Sequence, residues 1–404
     1  MSEDAKTDAA EKDEPAVVGE GTAVPESAAA PEPAPAVEPT SEPEISRVRQ
    51  WVTLRGSSMD ARTGWGLTEN VAKDLRSAVG KPHGCLFVFE AGTPTDLVER
   101  LARDLSAQGF ALRQSELAAP ERSLAGVEAF CGALTEHVIT ADDLVVACGH
   151  TSLLAVASFA CARWCGGVSL AEAPLSLPSA IVAGTTPPAL DVAGTPGMLE
   201  QDAAVRFSLM DVALYGFDPT SEDARLSFAL MAATAMCDSD KAFGRLWDQV
   251  DALMAADPST LVTQLADTVK SRGKVVSSTA LSTRQSIAYG QTFATALGTL
   301  TGDSVPTSTL LADGLRFSAR LSVAQEIFSI DDMLTQDELL ERLGLGTCEV
   351  SVDPDALVDA LKAERFRRSN RLMLPIPRAI GRVRLASVED DLLREHVAAW
   401  CAAR

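Results

Sequence analysis

Short apolar runs alternate with amphipathic segments in the first half of the chain. Residues 47–54 alternate between polar and apolar side chains, which predicts a half-buried strand. The apolar runs at 85–90 and 143–149 predict buried strands. Segments 94–108 and 124–137 repeat their apolar side chains at helical spacing and predict helices. This alternation of strand and helix predicts a parallel sheet with helices on both faces.

From about residue 219 onward the pattern becomes mostly helical. The predicted helices are Glu222 to Met254, Leu261 to Arg272, Gln285 to Leu300, Ser308 to Phe328, Asp337 to Leu343, Pro354 to Arg365 and Val388 to Ala403. Segments 371–375 and 381–385 read as short strands or extended connections. We therefore expect an α/β domain of the nucleotide-binding type over 46–218 and an α-helical domain over 219–404.

The first 45 residues differ in composition from the rest. They contain 12 Asp or Glu and 2 Lys among Ala, Pro and Val, so this segment carries −10 of the chain's −21. Such a segment has too few large apolar side chains to form a core, so it is predicted to be a disordered acidic tail. The remaining −11 argues against nucleic acid as a partner. We expect a cytoplasmic protein with no membrane span, because no apolar run is long enough and no signal peptide is visible.

Eight cysteines are scattered along the chain without a C-x-x-C pair. Cys161 and Cys165 are one helical turn apart on a helix predicted over Ser152 to Cys165. With no export signal, free thiols are expected. His150 stands at the predicted carboxyl end of a strand, where an imidazole could serve as an acid or base, although a structural role is the commoner one.

One segment carries a specific family pattern. Residues 284–297 read Arg-Gln-Ser-Ile-Ala-Tyr-Gly-Gln-Thr-Phe-Ala-Thr-Ala-Leu. They resemble the R-x-x-L-N-x-G-H-T-F-G-H-A-I segment of the 3-dehydroquinate synthases. Other landmarks of that family follow in the correct order: Val88–Glu90, Arg122–Leu124, Asp143–Gly149, Phe159-Ala160, Gly167-Val168, Pro174, Arg371–Pro375 and Ala379–Gly381.

The resemblance implies a two-domain fold with an N-terminal Rossmann-like sheet and a mostly helical C-terminal domain. Enzymes of this family bind NAD and a divalent metal, usually zinc. They convert a seven-carbon keto-acid phosphate to 3-dehydroquinate in the shikimate pathway of aromatic amino acid biosynthesis. Family members are commonly homodimers, so the resemblance also implies a homodimer or a heterodimer with a related subunit.

The residues that would hold the metal are replaced in this chain. By the resemblance, the metal-binding glutamate corresponds to a position near Met231, and the two histidines correspond to Gln291 and to Thr307 or Ser308. A further active-site histidine corresponds to Thr295. Because thioether, amide and hydroxyl groups supply no charge to bind zinc, we expect no zinc at this position.

The cofactor and substrate positions are only partly retained. Where the family has a glycine triplet against the NAD pyrophosphate, this chain has Gly149, His150 and Thr151; Glu90 could still bind a ribose. The resemblance therefore predicts weak NAD binding at best. Arg284 matches a family residue that holds the substrate's anionic end, and Lys270, with Arg272 or Lys274 as alternatives, matches another. These cations predict a residual pocket for a small anion.

Three functions fit these observations. The first is a catalytically degenerate relative of the synthases, a pseudoenzyme that acts as a binding or scaffolding subunit. The second is an active phosphate lyase and cyclase with a rearranged site. The third is an oxidoreductase related to alcohol or glycerol dehydrogenases, which share the architecture but also need histidine ligands. The missing ligands favour the first.

Overall fold

The computed structural model describes residues 47–69 and 71–404. The predicted acidic tail, residues 1–45, lies outside the described residues. Within the described part, no helix is both long and apolar enough to cross a membrane.

The described residues form a strand-rich first half and a helix-rich second half. The strands are β1 (Val48–Leu54), β2 (Ser57–Gly64), β3 (Cys85–Glu90), β4 (Leu112–Leu117), β5 (Leu144–Gly149), β6 (Ser169–Pro174), β7 (Ala189–Val192), β8 (Thr195–Glu200), β9 (Val205–Asp211), β10 (Met373–Ala379) and β11 (Arg382–Ser387). The helices are α1 (Val71–Val79), α2 (Thr95–Ala107), α3 (Leu124–Glu136), α4 (Thr151–Cys161), α5 (Leu177–Val182), α6 (Glu222–Asp238), α7 (Asp240–Met254), α8 (Pro258–Val276), α9 (Leu281–Arg284), α10 (Gln291–Thr301), α11 (Thr307–Ala324), α12 (Ile330–Arg342), α13 (Pro354–Phe366) and α14 (Asp390–Ala402).

Seven of the strands form one sheet in the order β1-β2-β9-β6-β5-β3-β4. The β1–β2 pair is antiparallel, whereas every other neighbouring pair in this sheet is parallel. The chain runs from β3 outward to β4 and then returns to the other side of β3 as β5. The predicted α/β class with a parallel sheet is confirmed, and the crevice between β3 and β5 is the point where the strand order reverses.

Helices cover both faces of the sheet because alternate strand residues point in opposite directions. Phe87 and Val146 pack with residues of α1 and α2, including Leu75 and Leu101. Val88 and Val145, one position along, belong to a separate cluster that includes residues of α3 and α4. This second cluster continues without interruption into the helical half, through α6, α7 and α8.

The helix-rich half differs from the sequence prediction at two breaks. The pattern over Glu222 to Met254 predicts one helix, but Ser239 has extended backbone (φ −168°) and its hydroxyl accepts the Ala242 N–H as the cap of α7. The helix predicted over Gln285 to Leu300 is interrupted at Tyr289 and Gly290. Both breaks lie at polar or glycine positions, Asp238-Ser239-Asp240 and Gly290-Gln291, which are helix start and stop signals that the apolar spacing on either side outweighed in the prediction.

The predicted helix over Ser152 to Cys165 is too long. Helix α4 ends at Cys161, and Cys165 lies in a following turn with φ 51° and an exposed side chain. The placement of the Cys161 and Cys165 pair on one buried helix is therefore wrong. The sequence prediction has no counterpart of strands β2, β6 and β9, helices α1, α5 and α9 or the β7–β8 hairpin. Most of these elements are short or carry weak periodicity, whereas β9 is a mostly buried strand that the prediction missed.

Candidate functional site

Two cavities lie beside the carboxyl ends of the parallel strands. The smaller, here called the switch-point cavity, has a volume of about 440 Å³ and is lined by residues at the ends of β3 and β5 and in α2, among them Glu90, Gly92, Arg100 and His150. Open α/β sheets bind ligands where the strand order reverses, because loops from neighbouring strands diverge there. The position predicted from Glu90, Gly149 and His150 is therefore a cavity.

A carboxylate occupies the start of helix α4 in the switch-point cavity. The His150 backbone N–H donates to Glu90 Oε2 at 2.7 Å, and His150 Nδ1 lies 3.2 Å from the same oxygen. A side chain added at Gly149 would place its Cβ 2.8 Å from Glu90 Oε2. An added Cβ would therefore have to displace the Leu153 and Glu90 side chains, and the His150 N–H at the helix start is already paired.

The larger cavity, here called the central cavity, has a volume of about 670 Å³. One side is a stripe of helix α4 at helical spacing, formed by Thr151, Leu154, Ala155 and Ser158. The segment 182–189 forms a second side. Residues of α8, α9, α10 and α13 from the helix-rich half complete it. The cavity is therefore a partly open space lined by residues from both halves of the chain.

Six arginines line the central cavity: Arg55, Arg122, Arg272, Arg284, Arg365 and Arg368. Three of them have carboxylate partners outside or at its rim, in the pairs Arg55–Asp202, Arg122–Asp191 and Arg368–Glu364. In the described part of the chain, the other three form no ion pair. Arg284 donates to the Ser278 carbonyl at 3.1 Å, and the buried Nε of Arg365 has no hydrogen-bond partner there.

Arg272 is the most buried of these cations, with 2% of its surface exposed. Its Nε donates to Thr186 Oγ1 at 3.0 Å and its Nη1 to Thr234 Oγ1 at 3.3 Å. Burial lowers its pKa to about 10, so the guanidinium remains charged near neutral pH. A buried cation held by hydroxyls alone is costly, and an anion supplied to it would offset that cost.

A buried carboxyl also lines the central cavity. Glu172 lies on β6, between Ala147 of β5 and Ser208 of β9, and 1% of its surface is exposed. Neither of its oxygens has a hydrogen-bond partner within the described residues, and burial raises its pKa to about 8. Ser158 Oγ, also buried and on the cavity lining, has no partner there either.

The structure separates the two cations predicted to hold an anion. Arg284 lines the central cavity, whereas Lys270 is exposed and is not among the lining residues. Arg272, two residues further along α8, lines the cavity instead. Thr151 also lines the central cavity, where it shares a hydrogen bond of 3.0 Å with Ser179, while Glu90 and His150 belong to the switch-point cavity.

The three ancestral metal positions do not form a metal site. Gln291 is exposed and lines the central cavity together with Thr295. Met231 is 1% exposed within the apolar core, and Thr307 is exposed outside the cavity lining. The neighbouring Ser308 hydroxyl donates to Glu222 at 2.6 Å. Across residues 47–69 and 71–404, no group of three His, Cys, Asp or Glu side chains could hold a metal. These residues do not fit zinc.

The start of helix α4 does not fit a pyrophosphate in the manner of a glycine-rich turn. Such a turn leaves backbone N–H groups free to receive phosphate oxygens. Here the His150 N–H already donates to Glu90, whose carboxylate lies over Gly149. A second anion at this position would meet the Glu90 charge. With Glu90 in this position, a pyrophosphate reaches the His150 N–H only if the carboxylate moves away.

Sequence reasoning missed two residues of the central cavity, Arg272 as the inward cation and Glu172 as the buried acid. The sequence offers Arg272 only as an alternative to Lys270. A signal for Glu172 is present, because it is a single charged residue inside the apolar run Val168–Leu175. A charge in such a run is rarely buried without a reason.

Comparison with known proteins gives a consistent family of relatives, although no protein-family profile matches the chain. A 3-dehydroquinate synthase of Gloeobacter violaceus is 26% identical over 361 residues, covering 86% of this chain and 98% of the relative. The synthase of Rhodopirellula baltica is 23% identical over 367 residues, covering 87% and 96%.

Solved structures share the fold at low identity. A 2-deoxy-scyllo-inosose synthase, in complex with carbaglucose-6-phosphate, NAD⁺ and Co²⁺, has a TM-score of 0.76 at 15% identity, covering 87% of this chain and 99% of its own. The 2-epi-5-epi-valiolone synthase of Streptomyces hygroscopicus, with NAD⁺ and Zn²⁺ bound, has a TM-score of 0.72 at 16% identity, covering the same shares. A maleylacetate reductase of Agrobacterium tumefaciens has a TM-score of 0.59 at 16% identity, covering 87% of this chain and 97% of its own. The chain is a distant homologue of the 3-dehydroquinate synthases, with the two-domain fold of the related sugar phosphate cyclases.

Proposed function

We propose that this protein binds a small phosphate-bearing anion in the central cavity and does not catalyse the metal-dependent synthase reaction. In this proposal it is a catalytically degenerate relative that acts as a binding subunit, either as a homodimer or with a related chain. The observation that carries the proposal is a set of three arginines on the lining of one cavity, Arg272, Arg284 and Arg365, which have no carboxylate partner among the described residues.

The clustering of arginines in this cavity contrasts with the negative charge of the whole chain. The protein carries a formal net charge of −21, yet the central cavity is lined by six arginines and three glutamates. A cleft whose lining has an excess of one sign of charge raises the local concentration of counter-ions. Arginine also binds phosphate with two parallel hydrogen bonds, so a partly desolvated guanidinium favours that ligand over a simple halide.

The proposed loss of catalysis rests on the residues that replace the metal ligands of the family. Met231 is packed into the core and Gln291 offers an amide to the cavity, so a divalent ion would find no charged ligand at the ancestral site. No particular contact favours a rearranged lyase, and the dehydrogenase alternative needs histidine ligands that the central cavity lacks among its lining residues.

Binding of inorganic phosphate tests the proposal directly. We expect calorimetric titration to give saturable binding that Arg272→Met weakens at least about tenfold, since one charge-assisted pair in a desolvated site contributes roughly 1.5–3 kcal/mol. The Met side chain fills the space of the apolar part of the Arg272 side chain. Removing the buried guanidinium charge also removes its desolvation cost. Folding of the variant should therefore be preserved.

Lys270→Met is the matched control. Lys270 lies on the same helix, two residues from Arg272, but its side chain is exposed outside the cavity lining. We expect its phosphate affinity to equal that of the unchanged protein. Equal losses in both variants would mean that phosphate binds to the helix surface, and absence of binding to the unchanged protein would end the proposal.

The proposal also predicts that NAD and zinc leave the unfolding temperature unchanged. A ligand at 100 times its dissociation constant stabilises the folded state by about 2.7 kcal/mol. We expect no such shift with NAD, because Glu90 occupies the start of α4, and none with zinc, because its ligands are replaced. Thermal unfolding with each additive, together with metal analysis of the purified protein, checks this. Stoichiometric metal or a shift with NAD would restore the enzyme alternatives.

A further inference from the structure

The switch-point cavity is lined by side chains of opposite charge that are not paired with each other. Asp96 and Arg100 lie one helical turn apart on α2, and both belong to the lining of this cavity. Oppositely charged residues at this spacing on a helix usually interact. Within the described residues, however, no salt bridge includes either of them. Their charges are therefore available to a ligand.

Arg100 can bind a carboxylate from the cavity. Its side chain is partly buried, and its Nε is enclosed by protein without a hydrogen-bond partner in the described part of the chain. A ligand cannot reach that enclosed atom, so it would bind the terminal Nη groups, which are not enclosed. A guanidinium binds a carboxylate with two parallel hydrogen bonds. Arg100 is therefore suited to one carboxylate that enters from the cavity.

Carboxylates on the same lining favour a cationic group in addition. Both contacts of the Glu90 carboxylate with His150 use Oε2, which lies 2.7 Å from the backbone nitrogen and 3.2 Å from Nδ1. Its Oε1 accepts no hydrogen bond within the described residues, and the Asp96 side chain is exposed. Two carboxylates attract an ammonium group and repel a second anion. The cavity thus offers partners for both charges of a zwitterion.

The rest of the lining is largely apolar. Pro94 and Leu97 contribute from the start of α2, Leu175 from the turn after β6, and Ala213 and Leu214 from the segment after β9. The cavity volume of about 440 Å³ lies in the range of pockets that bind small molecules. Such pockets combine apolar walls with a few polar groups that orient the ligand. A zwitterion with an apolar part matches this lining.

We propose that the switch-point cavity binds a free α-amino acid with an aliphatic side chain. Arg100 binds its carboxylate, Glu90 and Asp96 bind its ammonium group, and the apolar walls contact its side chain. Both charges of such a ligand are attached to one carbon, so the protein groups that bind them must be neighbours, as Asp96 and Arg100 are on α2. This inference does not rest on the proposed function, which concerns the central cavity.

Calorimetric titration of the full chain with L-leucine tests the proposal without any substitution. Two analogues serve as controls: 4-methylpentanoate lacks the ammonium group, and 3-methylbutylamine lacks the carboxylate. We expect L-leucine to bind at least about tenfold more tightly than either, because each analogue loses a charge-assisted contact. Glycine, which lacks the apolar side chain, should also bind at least about tenfold more weakly. Equal affinity for L-leucine and 4-methylpentanoate would show a simple anion site and overturn the proposal.

Substitutions in the cavity locate the binding site. Arg100→Met should weaken L-leucine binding at least about tenfold. Arg103→Met is the matched control, since Arg103 is exposed on the same helix outside the cavity lining, and its affinity should equal that of the unchanged protein. Glu90→Gln and Asp96→Asn should each weaken binding by about threefold to tenfold, because two carboxylates share the ammonium group. Equal losses in Arg100→Met and Arg103→Met would contradict the assignment.

The remaining outcomes separate this inference from the proposed function. L-leucine binding that is lost in Arg272→Met but kept in Arg100→Met would mean that the amino acid binds in the central cavity, and the inference would be wrong. If the unchanged protein does not bind L-leucine at all, the inference fails. Binding of inorganic phosphate is unaffected by that failure, because the two ligands are assigned to different cavities.

Discussion

The Glu172→Gln protein should be several kcal/mol more stable than the unchanged protein at pH 9, and the difference should shrink as the pH falls. Burial raises the Glu172 pKa from its ordinary value of 4.5 to about 8 in the folded state. Between these values the folded state holds a proton that the unfolded state has lost, so stability falls as the pH rises. The slope is at most about 1.4 kcal/mol per pH unit.

The effect has defined limits in pH. Below pH 4.5 the carboxyl is neutral in both states and ionisation costs nothing, and above pH 8 the loss is complete. The neutral amide introduced by Glu172→Gln has the same shape as the carboxyl and no charge, so it removes the slope over the whole window. Urea unfolding of both proteins at unit steps from pH 5 to pH 9 gives the difference between their free energies of unfolding. The contributions of other titrating groups are the same in both proteins and cancel in this difference.

Glu200→Gln is the control for a change of charge at the same cavity. Glu200 also lines the central cavity, but its side chain is exposed, so its ionisation costs little in the folded state. We expect its stability to follow the unchanged protein at every pH. Parallel curves for Glu172→Gln and the unchanged protein would show that the buried carboxyl is solvated through the cavity, which would argue against its raised pKa.

Strands β3 and β5 were predictable because each is a continuous apolar run. The runs at 85–90 and 143–149 coincide with β3 and β5 to within one residue, since a strand that is buried on both faces leaves little room for polar side chains. The hairpin of β7 and β8 was not predictable in the same way. Pro196 and Gly197 interrupt β8, and most of its side chains are exposed.

The candidate site was predictable in position but not in its decisive residues. The carboxyl ends of β3 and β5 do hold a cavity, and Arg284 does line the central one. Lys270 and Arg272 could not be distinguished, because α8 is buried around nearly its whole circumference and its apolar period defines no single inner face. The phase of such a helix is set by its neighbours rather than by its own sequence.

Several landmarks of the resemblance are now explained by packing. Gly290 has φ 79°, and a Cβ there would lie 2.9 Å from the Leu315 backbone nitrogen, so α10 begins against α11. Gly381 turns the chain between β10 and β11 against the junction of α6 and α7. These positions keep the family residue, while Met231 and Gln291, which the fold does not require to be ligands, have changed. Fold and chemistry are separable at the level of single residues.

Gly381→Ala should therefore be among the most damaging single substitutions in the chain, with a loss of about 4 kcal/mol in the free energy of unfolding. At φ 74°, a Cβ would lie 2.0 Å from the Ser239 carbonyl carbon and 2.2 Å from the Asp240 nitrogen. Both atoms are backbone, so relief requires the β10–β11 hairpin to move away from the start of α7.

Gly80→Ala is the matched control, since Gly80 has φ 80° with no atom within 4 Å of its added Cβ. It should show only the strain of the left-handed conformation, about 1 kcal/mol. Urea unfolding of both variants separates the steric clash at the α6–α7 junction from the strain of the left-handed backbone. Equal losses in the free energy of unfolding would mean that the hairpin does not pack against this junction.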